Sequence, residues 1–165
     1  MATVNVEYSA TTTMSVTNLQ SLASSATAGW QSDLVDNRTT LALDYEIAIS
    51  LSTAATAVAN DRGVYLWACP AYHDGTTWRM SDQGTITLPT GTQGTTTIAS
   101  PHNLRLAGFL NYTSTASTLR TNVMLSDAVG RNMPDGFSLI VVNFSGAALG
   151  TGCTLAYKAI TQTVA

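Results

Sequence analysis

Charge is the scarcest property of this sequence. Charged residues make up 10% of its 165 residues, against about 25% in a typical soluble domain. Lys158 is the only lysine, and the arginines are scattered along the chain. A protein that holds DNA or RNA needs several neighbouring Lys or Arg residues to neutralise phosphates. We therefore expect no nucleic-acid partner, and the same scarcity disfavours binding to a membrane surface.

Cysteines and long apolar runs are also few. Cys69 and Cys153 are the only cysteines and form no CxxC motif, so the chain is not a disulfide scaffold. We interpret them as small buried hydrophobic residues, and a single bridge between them is the alternative. No stretch approaches the ~18 consecutive apolar residues of a membrane span. Because the first residues also lack the pattern of a signal peptide, we expect synthesis in a cytoplasm.

Catalytic signatures are missing as well. The sequence contains no GxGxxG, GxxxxGK[ST], GxSxG, HExxH or EF-hand pattern. Its two histidines, His73 and His102, lie in separate predicted loops, without the neighbours that a metal site or a Ser-His-Asp triad requires. We therefore expect no enzyme, and no catalytic, cofactor-binding or metal-binding residue.

The chain is rich in threonine, and in places its apolar residues alternate with polar ones. Thr and Ser together outnumber all charged residues more than twofold, and β-branched threonine suits the surface of a sheet. The clearest signal is LALDYEIAISL, residues 41–51, in which apolar residues alternate with polar or small ones. Strict period-2 alternation is typical of a strand with one face in the core.

Seven other runs favour strands, with less contrast between their faces. They are residues 4–8, 63–69, 84–88, 103–113, 119–126, 136–144 and 153–164. Pro70 is expected to end the second of them, and Gly108 is a candidate bulge. About eight short strands separated by turn residues predict an all-β, antiparallel β-sandwich of jelly-roll type.

The first 36 residues form the least regular part of the sequence. Residues 17–28 carry a thin, Ser-rich apolar stripe behind a possible N-cap, which predicts a short helix or an arm that orders on a neighbour. We expect residues 1–36, with Trp30 among them, to form an extension that takes part in an interface. Residues 37–165 then form the β-sandwich domain.

Two carboxylates mark the outer side of the clearest strand. Asp44 and Glu46 fall on the face opposite the apolar residues of 41–51. Paired carboxylates occur in glycosidases, but in so weakly charged a chain a solubilising or interface-steering role is favoured. We therefore take both as candidate interface residues.

One loop combines a turn signal with aromatic residues. In AYHDGTTWRM, residues 71–80, Asp74 and Gly75 form a strong turn pair, and Tyr72 and Trp78 lie on either side of it. The favoured interpretation is a hairpin whose tryptophan packs on the sandwich or on a partner. Tyr72 and Trp78 are therefore candidate interface residues, with sugar stacking as the alternative.

Three segments together carry a resemblance in layout. They are NLQSLASSATAGWQSDLVDNRTT (18–40), YLWACPAYHDGTTW (65–78) and PDGFSLIVVNFSGAALG (134–150). The chain resembles the capsid decoration, or cement, proteins of tailed bacteriophages, which have a jelly-roll-like sandwich. This resemblance implies a virion protein on the outer capsid surface. Its partners would be the major capsid protein and further copies of itself, as homodimers or homotrimers that bridge capsomers.

Other functions suit the same fold, because sandwiches and jelly rolls also serve as lectins and spike domains. One alternative is a carbohydrate-binding module of a phage tail or spike, which would use Trp78, Tyr72 and Trp30. Another is the major coat protein of a small virus, which the missing basic arm disfavours.

Overall fold

The chain folds into two sheets that lie face to face. The computed structural model describes residues 3–53, 63–80, 93–97, 104–112, 116–130 and 132–164. Over these residues two curled antiparallel sheets, one of five and one of seven strands, pack as a β-sandwich. The predicted all-β sandwich is therefore confirmed, although the described residues alone form twelve strands instead of about eight. Most of the additional strands are only two to four residues long.

The five-stranded sheet has the order β1-β12-β5-β10, with β2 also beside β12. Its strands are β1 (Val4–Tyr8), β2 (Thr12–Thr13), β5 (Asp44–Ser52), β10 (Thr118–Met124) and β12 (Thr154–Val164). A short helix, α1 (Leu125–Val129), follows β10, and a 3-10 turn covers Thr17–Leu19.

The seven-stranded sheet has the order β7-β6-β11-β3-β8. Its strands are β3 (Ala28–Gln31), β4 (Val35–Asp36), β6 (Gly63–His73), β7 (Trp78–Met80), β8 (Gly94–Thr97), β9 (Arg105–Asn111) and β11 (Gly136–Phe144). It branches twice, because β9 and β7 both pair with β6, and β4 and β3 both pair with β11.

The alternation predicted for residues 41–51 is confirmed within β5. Tyr45, Ile47, Ile49 and Leu51 are buried, and the residues between them are partly exposed. Leu41 and Leu43 differ from the prediction, because they precede the strand and are 73% and 52% exposed. Asn37 holds the turn before the strand: its carbonyl accepts the N–H of Leu41, and its side-chain oxygen accepts that of Ala42.

The main core fills the space between the sheets. Trp30, Tyr45 and Phe137 are its largest fully buried side chains, and the rings of Tyr45 and Phe137 meet edge to face at 4.9 Å. The hydroxyl of Tyr45 donates to Asn37 at 2.8 Å. Burial raises the pKa of Tyr45 to about 12, so this hydroxyl keeps its proton and remains a donor.

Residues 3–36 do not form the extension that was predicted for residues 1–36; their strands belong to the two sheets. β1 and β2 pair with β12, while β3 and β4 pair with β11. Met14, Leu19, Leu22 and Trp30 are buried in the main core, and this burial draws the segment into the sandwich. Of the helix predicted for 17–28, only the 3-10 turn forms, because the apolar stripe is too thin to support a longer one.

Two predictions of strand detail have different outcomes. β6 continues through Pro70 to His73, where Pro70 was expected to end it. On one side of β6, Ala68 pairs with β9 and Ala71 with β7, so Pro70 lies in the gap between these two strands; on the other side it lies opposite Phe137 of β11. The bulge is close to its predicted place: Leu66 pairs with Gly108 and Trp67 with Leu106. The strand predicted at 84–88 lies outside the described residues.

Candidate protein-interaction surfaces

Trp30 lies inside the protein. Its side chain has no exposed surface, and its position in β3 opposite Val141 directs it into the main core. The indole N–H donates to the side-chain oxygen of Gln93. Trp30 therefore contributes to the fold in this structure and presents no ring to a partner or a sugar.

Asp44 and Glu46 lie on the outer face of the five-stranded sheet, the face turned away from the other sheet. Asp44 accepts hydrogen bonds from the backbone N–H of Ser126, at 3.0 Å, and from its hydroxyl. Asp44 thus satisfies a backbone donor in the first turn of α1, the role of an N-capping carboxylate. Glu46 accepts one bond from Asn122 at 3.1 Å, and Glu46 and Asn122 line an open depression of about 230 Å³.

Tyr72 and Trp78 project from opposite faces of the β6–β7 hairpin. Trp78 pairs with His73, and Tyr72 pairs with Arg79. Since neighbouring residues of a strand alternate between faces, the two rings do not lie side by side. The structure therefore does not bring Trp30, Tyr72 and Trp78 together as one platform for stacking sugars.

Contacts within the chain cover much of Trp78. The guanidinium of Arg38 lies 4.7 Å from the ring centroid, a cation–π contact. His73 meets the ring edge to face at 5.1 Å. A Cβ added at Gly136 would lie 2.9 Å from the indole, so the ring rests directly on the backbone of β11. Trp78 thus packs on the sandwich, one of the two environments expected for it, whereas Tyr72 remains 57% exposed.

The Asp74 carboxylate holds the predicted Asp74-Gly75 turn together. The carboxylate of Asp74 accepts the N–H groups of Thr77 and Thr76, at 2.7 and 3.0 Å, and pairs with Arg79 at 2.8 Å. These contacts, the backbone N–H groups first, lower the pKa of Asp74 to about 2. Gly75 has a φ of 97°, which glycine adopts without strain.

A second ion pair lies at the same end of the sandwich. Two nitrogens of the Arg38 guanidinium donate hydrogen bonds to the Asp36 carboxylate, the shorter at 2.7 Å. The hydrogen bond from the Arg38 side chain is the main cause that lowers the pKa of Asp36. The carboxylate of Asp135 accepts the backbone N–H of His73 at 2.9 Å. These contacts brace the hairpin against β4 and the start of β11.

The outer face of the seven-stranded sheet carries a second apolar cluster. Cys69, Leu104, Ile140 and Val142 are buried there, apart from the main core. By register, Ile140 lies opposite Trp67, and Val142 lies opposite Tyr65. β6 and β11 are thus apolar on both faces, as strands in the middle of a three-layered structure are.

Part of this outer face remains open to solvent. Tyr65 pairs with Phe109, and Trp67 pairs with Leu106, across β6 and β9. We call these four residues the apolar strip. The Tyr65 ring lies 4.8 Å from that of Phe109 and 6.2 Å from that of Trp67. Leu106 is 50% and Phe109 46% exposed. A contiguous exposed strip of this kind marks an interaction site more often than scattered exposed residues do.

The apolar strip was not predicted from the sequence, although the sequence contains a pattern that indicates it. Within residues 63–69, the aromatic residues Tyr65 and Trp67 lie two positions apart, on the face that alternation does not need for the main core. We interpreted this run only as a strand in the middle of a sandwich. A run apolar on both faces also requires something to cover its second face, and that requirement points to a surface for a partner.

The cysteines lie in different clusters. Cys69 belongs to the outer cluster of the seven-stranded sheet and Cys153 to the main core. Both are free and buried, so the interpretation as small buried hydrophobic residues is confirmed and no bridge forms. Burial raises the pKa of the Cys153 thiol. No group of three or more metal-ligating side chains occurs in the part of the chain that the structure describes.

Comparison with known proteins gives no match: no protein-family model, curated protein or solved structure is similar to the chain. Among the described residues no helix is long and apolar enough to span a membrane.

Proposed function

We propose that this chain is a structural protein of a bacteriophage virion. In this role it binds the outer surface of the capsid, self-associates and cements neighbouring capsomers. The observation that carries the proposal is the apolar strip of Tyr65, Trp67, Leu106 and Phe109. Large aromatic side chains that are partly exposed and already held by their neighbours are the residues that supply most binding energy at protein interfaces.

The distribution of charge agrees with the outside of a particle. Arg38 and Arg79 are both paired with carboxylates of the same chain. Positive charge that is neutralised in this way does not contribute to binding phosphates. With Lys and Arg also scarce in the whole sequence, the surface that touches the genome is disfavoured, and the major capsid protein is the proposed partner of the strip.

The symmetry of a capsid compensates for the small size of the apolar strip. A strip of four side chains is small beside a standard protein interface, so one copy alone binds weakly. A capsid repeats its binding sites, and linked copies of this chain engage several of them at once. The effective affinity then rises by orders of magnitude without new contacts.

The test is co-sedimentation of the purified chain with capsids assembled without it. We expect the wild-type chain to pellet with capsids at a copy number close to that of the major capsid protein. A Trp67→Ala, Phe109→Ser double variant should lose at least about 90% of this binding, because the strip loses two of its aromatic anchors.

The matched control is Leu41→Ser, which removes an apolar side chain of greater exposure from a turn. It should bind like the wild type. Failure of the wild-type chain to bind capsids would overturn the proposal. Equal binding by the double variant would remove the strip from it. Binding to glycans but not to capsids would favour a tail or spike module.

A further inference from the structure

β1 is the end strand of the five-stranded sheet. It pairs with β12 on one side, and no described strand lies along its other side. The outward N–H and C=O groups of such a strand are open to pairing with another chain. Proteins usually protect edges of this kind with charged side chains, above all lysine, or with proline or a bulge. The sequence VNVEY contains neither lysine nor proline, and its one charged residue, Glu7, lies on the face opposite the valines, where it accepts a hydrogen bond from Thr163.

β1 and the end of β12 form a ribbon that extends past the rest of the sheet. β5 pairs with β12 only as far as Ile160, whereas β1 pairs with it as far as Val164. Residues 161–164 therefore have β1 as their one neighbour among the described strands. A two-stranded ribbon is marginally stable by itself, so additional pairing would stabilise it.

The two faces of this ribbon are reversed relative to the rest of the sheet. Val4, Val6, Tyr8 and Val164 lie on the outer face by register and are 51%, 59%, 62% and 71% exposed, with Gln162 opposite Val6 as a polar residue of the same face. The opposite face carries Asn5, Glu7, Thr161 and Thr163, and the Thr163 hydroxyl donates to Glu7 at 2.9 Å. The side chains of β1 on the outer face are thus apolar, and a strand paired at this open edge would place its own apolar side chains beside them.

We propose that β1 pairs with β1 of a second copy of this chain. The two strands run antiparallel about a two-fold axis through Val6, which joins the five-stranded sheets of both copies into one continuous sheet. This inference rests on the self-association that belongs to the proposed function, and it names the surface responsible.

The alternation of β1 selects this register. Val6 lies opposite Val6 of the partner copy, Val4 opposite its Tyr8, and Asn5 opposite its Glu7. A shift by one residue would place each apolar side chain opposite a polar one. Centring the axis on Glu7 would oppose two carboxylates, which is unfavourable.

The Val6 register is thus the one that keeps apolar residues together, avoids like charges and covers the whole strand. It also places an amide beside each carboxylate. Glu7 already accepts one hydrogen bond, and a carboxylate has capacity for several. This match of the strand with itself is the reason for proposing a second copy in place of a different protein.

The opposite edge of the same sheet supports the choice of β1. β10 carries Arg120 on its outer face, opposite Ser50, and α1 follows it directly. A charged side chain and a helix are both devices that discourage edge pairing. Only β1, of these two edges, combines an open backbone with an apolar outer face.

Cysteine cross-linking tests the register in the full chain. Val6→Cys should form a covalent dimer under mild oxidation with copper phenanthroline, because directly opposed residues approach within disulfide distance. Asn5→Cys and Glu7→Cys should each fail to cross-link alone, yet form a mixed dimer when combined. Buried Cys69 and Cys153 should not interfere, which the wild-type chain controls for.

Val6→Lys tests the energetics by sedimentation equilibrium. We expect its dimer dissociation constant to rise by about 100-fold, since the change removes both of the opposed valines and places two ammonium groups at the axis. Leu41→Lys, an equally large change at a more exposed leucine, should dimerise like the wild type.

The inference is overturned if Val6→Cys does not cross-link, if Asn5→Cys cross-links with itself as readily, or if Val6→Lys leaves the dissociation constant unchanged. These outcomes are independent of capsid binding. A chain that cross-links at position 6 but never binds capsids would overturn the proposed function and leave the pairing of β1 established.

Discussion

The outer faces of the two sheets differ sharply in chemistry. On the five-stranded sheet, Asp44, Glu46 and Ser50 of β5 face outward and are partly exposed. On the seven-stranded sheet, the corresponding positions of β11 include Ile140 and Val142, and both are buried. Around β5 the five-stranded sheet therefore separates a core from a polar surface, whereas the seven-stranded sheet has apolar packing on both sides.

The difference explains why the strands look unlike in sequence. A strand with one buried face alternates, as residues 44–52 do, whereas a strand with two buried faces is a continuous apolar run, as residues 136–144 are. A continuous run therefore gives information about a second packing layer as well as about the core.

A buried charge on one outer face should have the largest effect. Ile140→Glu places a carboxylate at a position with no exposed surface, and we expect it to lower the free energy of unfolding by at least about 4 kcal/mol. Ser50→Glu makes the same charge change on the other outer face, opposite Arg120, and should change it by less than about 0.5 kcal/mol. Urea denaturation measures both, and similar losses would contradict the contrast between the faces.

A methyl group beneath the apolar strip should have an intermediate effect. A Cβ at Gly63 would lie 2.5 Å from the Leu110 carbonyl and from the Phe109 ring, so Gly63→Ala should cost about 2–3 kcal/mol. Gly94→Ala, in β8 of the same sheet, has no atom within 4 Å of the added Cβ and should be neutral or slightly stabilising. Thermal unfolding compares them, and a harmless Gly63→Ala would show that Phe109 is not held in place.

On the polar outer face, Asp44 should contribute more to the free energy of unfolding than Glu46 does. Asp44→Ala removes the acceptor of two hydrogen bonds from Ser126, and we expect a loss of about 1–2 kcal/mol. Glu46→Ala removes a single exposed bond from Asn122 and should cost less than about 0.5 kcal/mol. Chemical denaturation of the two variants checks the order, and the reverse order would refute the capping role of Asp44.

The smallest effect concerns the charges that lie on neither outer face. The folded pKa of Asp74 is about 2, below its ordinary 3.8. The contribution of the ionised Asp74 carboxylate to the stability of the fold is therefore fully present above about pH 4 and is lost as the pH falls through about 2. The carboxyl carbon of Asp74, followed by NMR, should titrate near pH 2. Its absence in Asp74→Asn assigns the signal, and a midpoint near 3.8 would contradict the role of the Thr77 and Thr76 N–H groups.

Much of the fold was predictable because strand patterns are local. The bounds of β11 and the face of β5 follow from residues that are adjacent in the chain. The continuation of β6 through Pro70 was not predictable, because it depends on where β9 ends and β7 begins beside it. The place of residues 3–36 also depends on partners more than a hundred residues away.

The candidate surfaces were less predictable, for a related reason. Exposure of Tyr72 and burial of Trp30 depend on which sheet face each ring occupies. Alternation in the sequence predicts that Asp44 lies on an outer face, but its partner Ser126 is 82 residues distant. The sequence places a side chain on a face, whereas the groups that meet it there come from the assembled sheet.

The register of β12 also sets an order for folding during synthesis. β12 is the strand that joins β1 to β5, so the five-stranded sheet cannot close until residues 154–164 have left the ribosome. The pairs of the seven-stranded sheet, and the pair of β5 with β10, use residues no later than 144 and are free to form earlier. Val4–Tyr8, made first, waits longest for its partner, and during that delay its open edge is most exposed to other nascent chains.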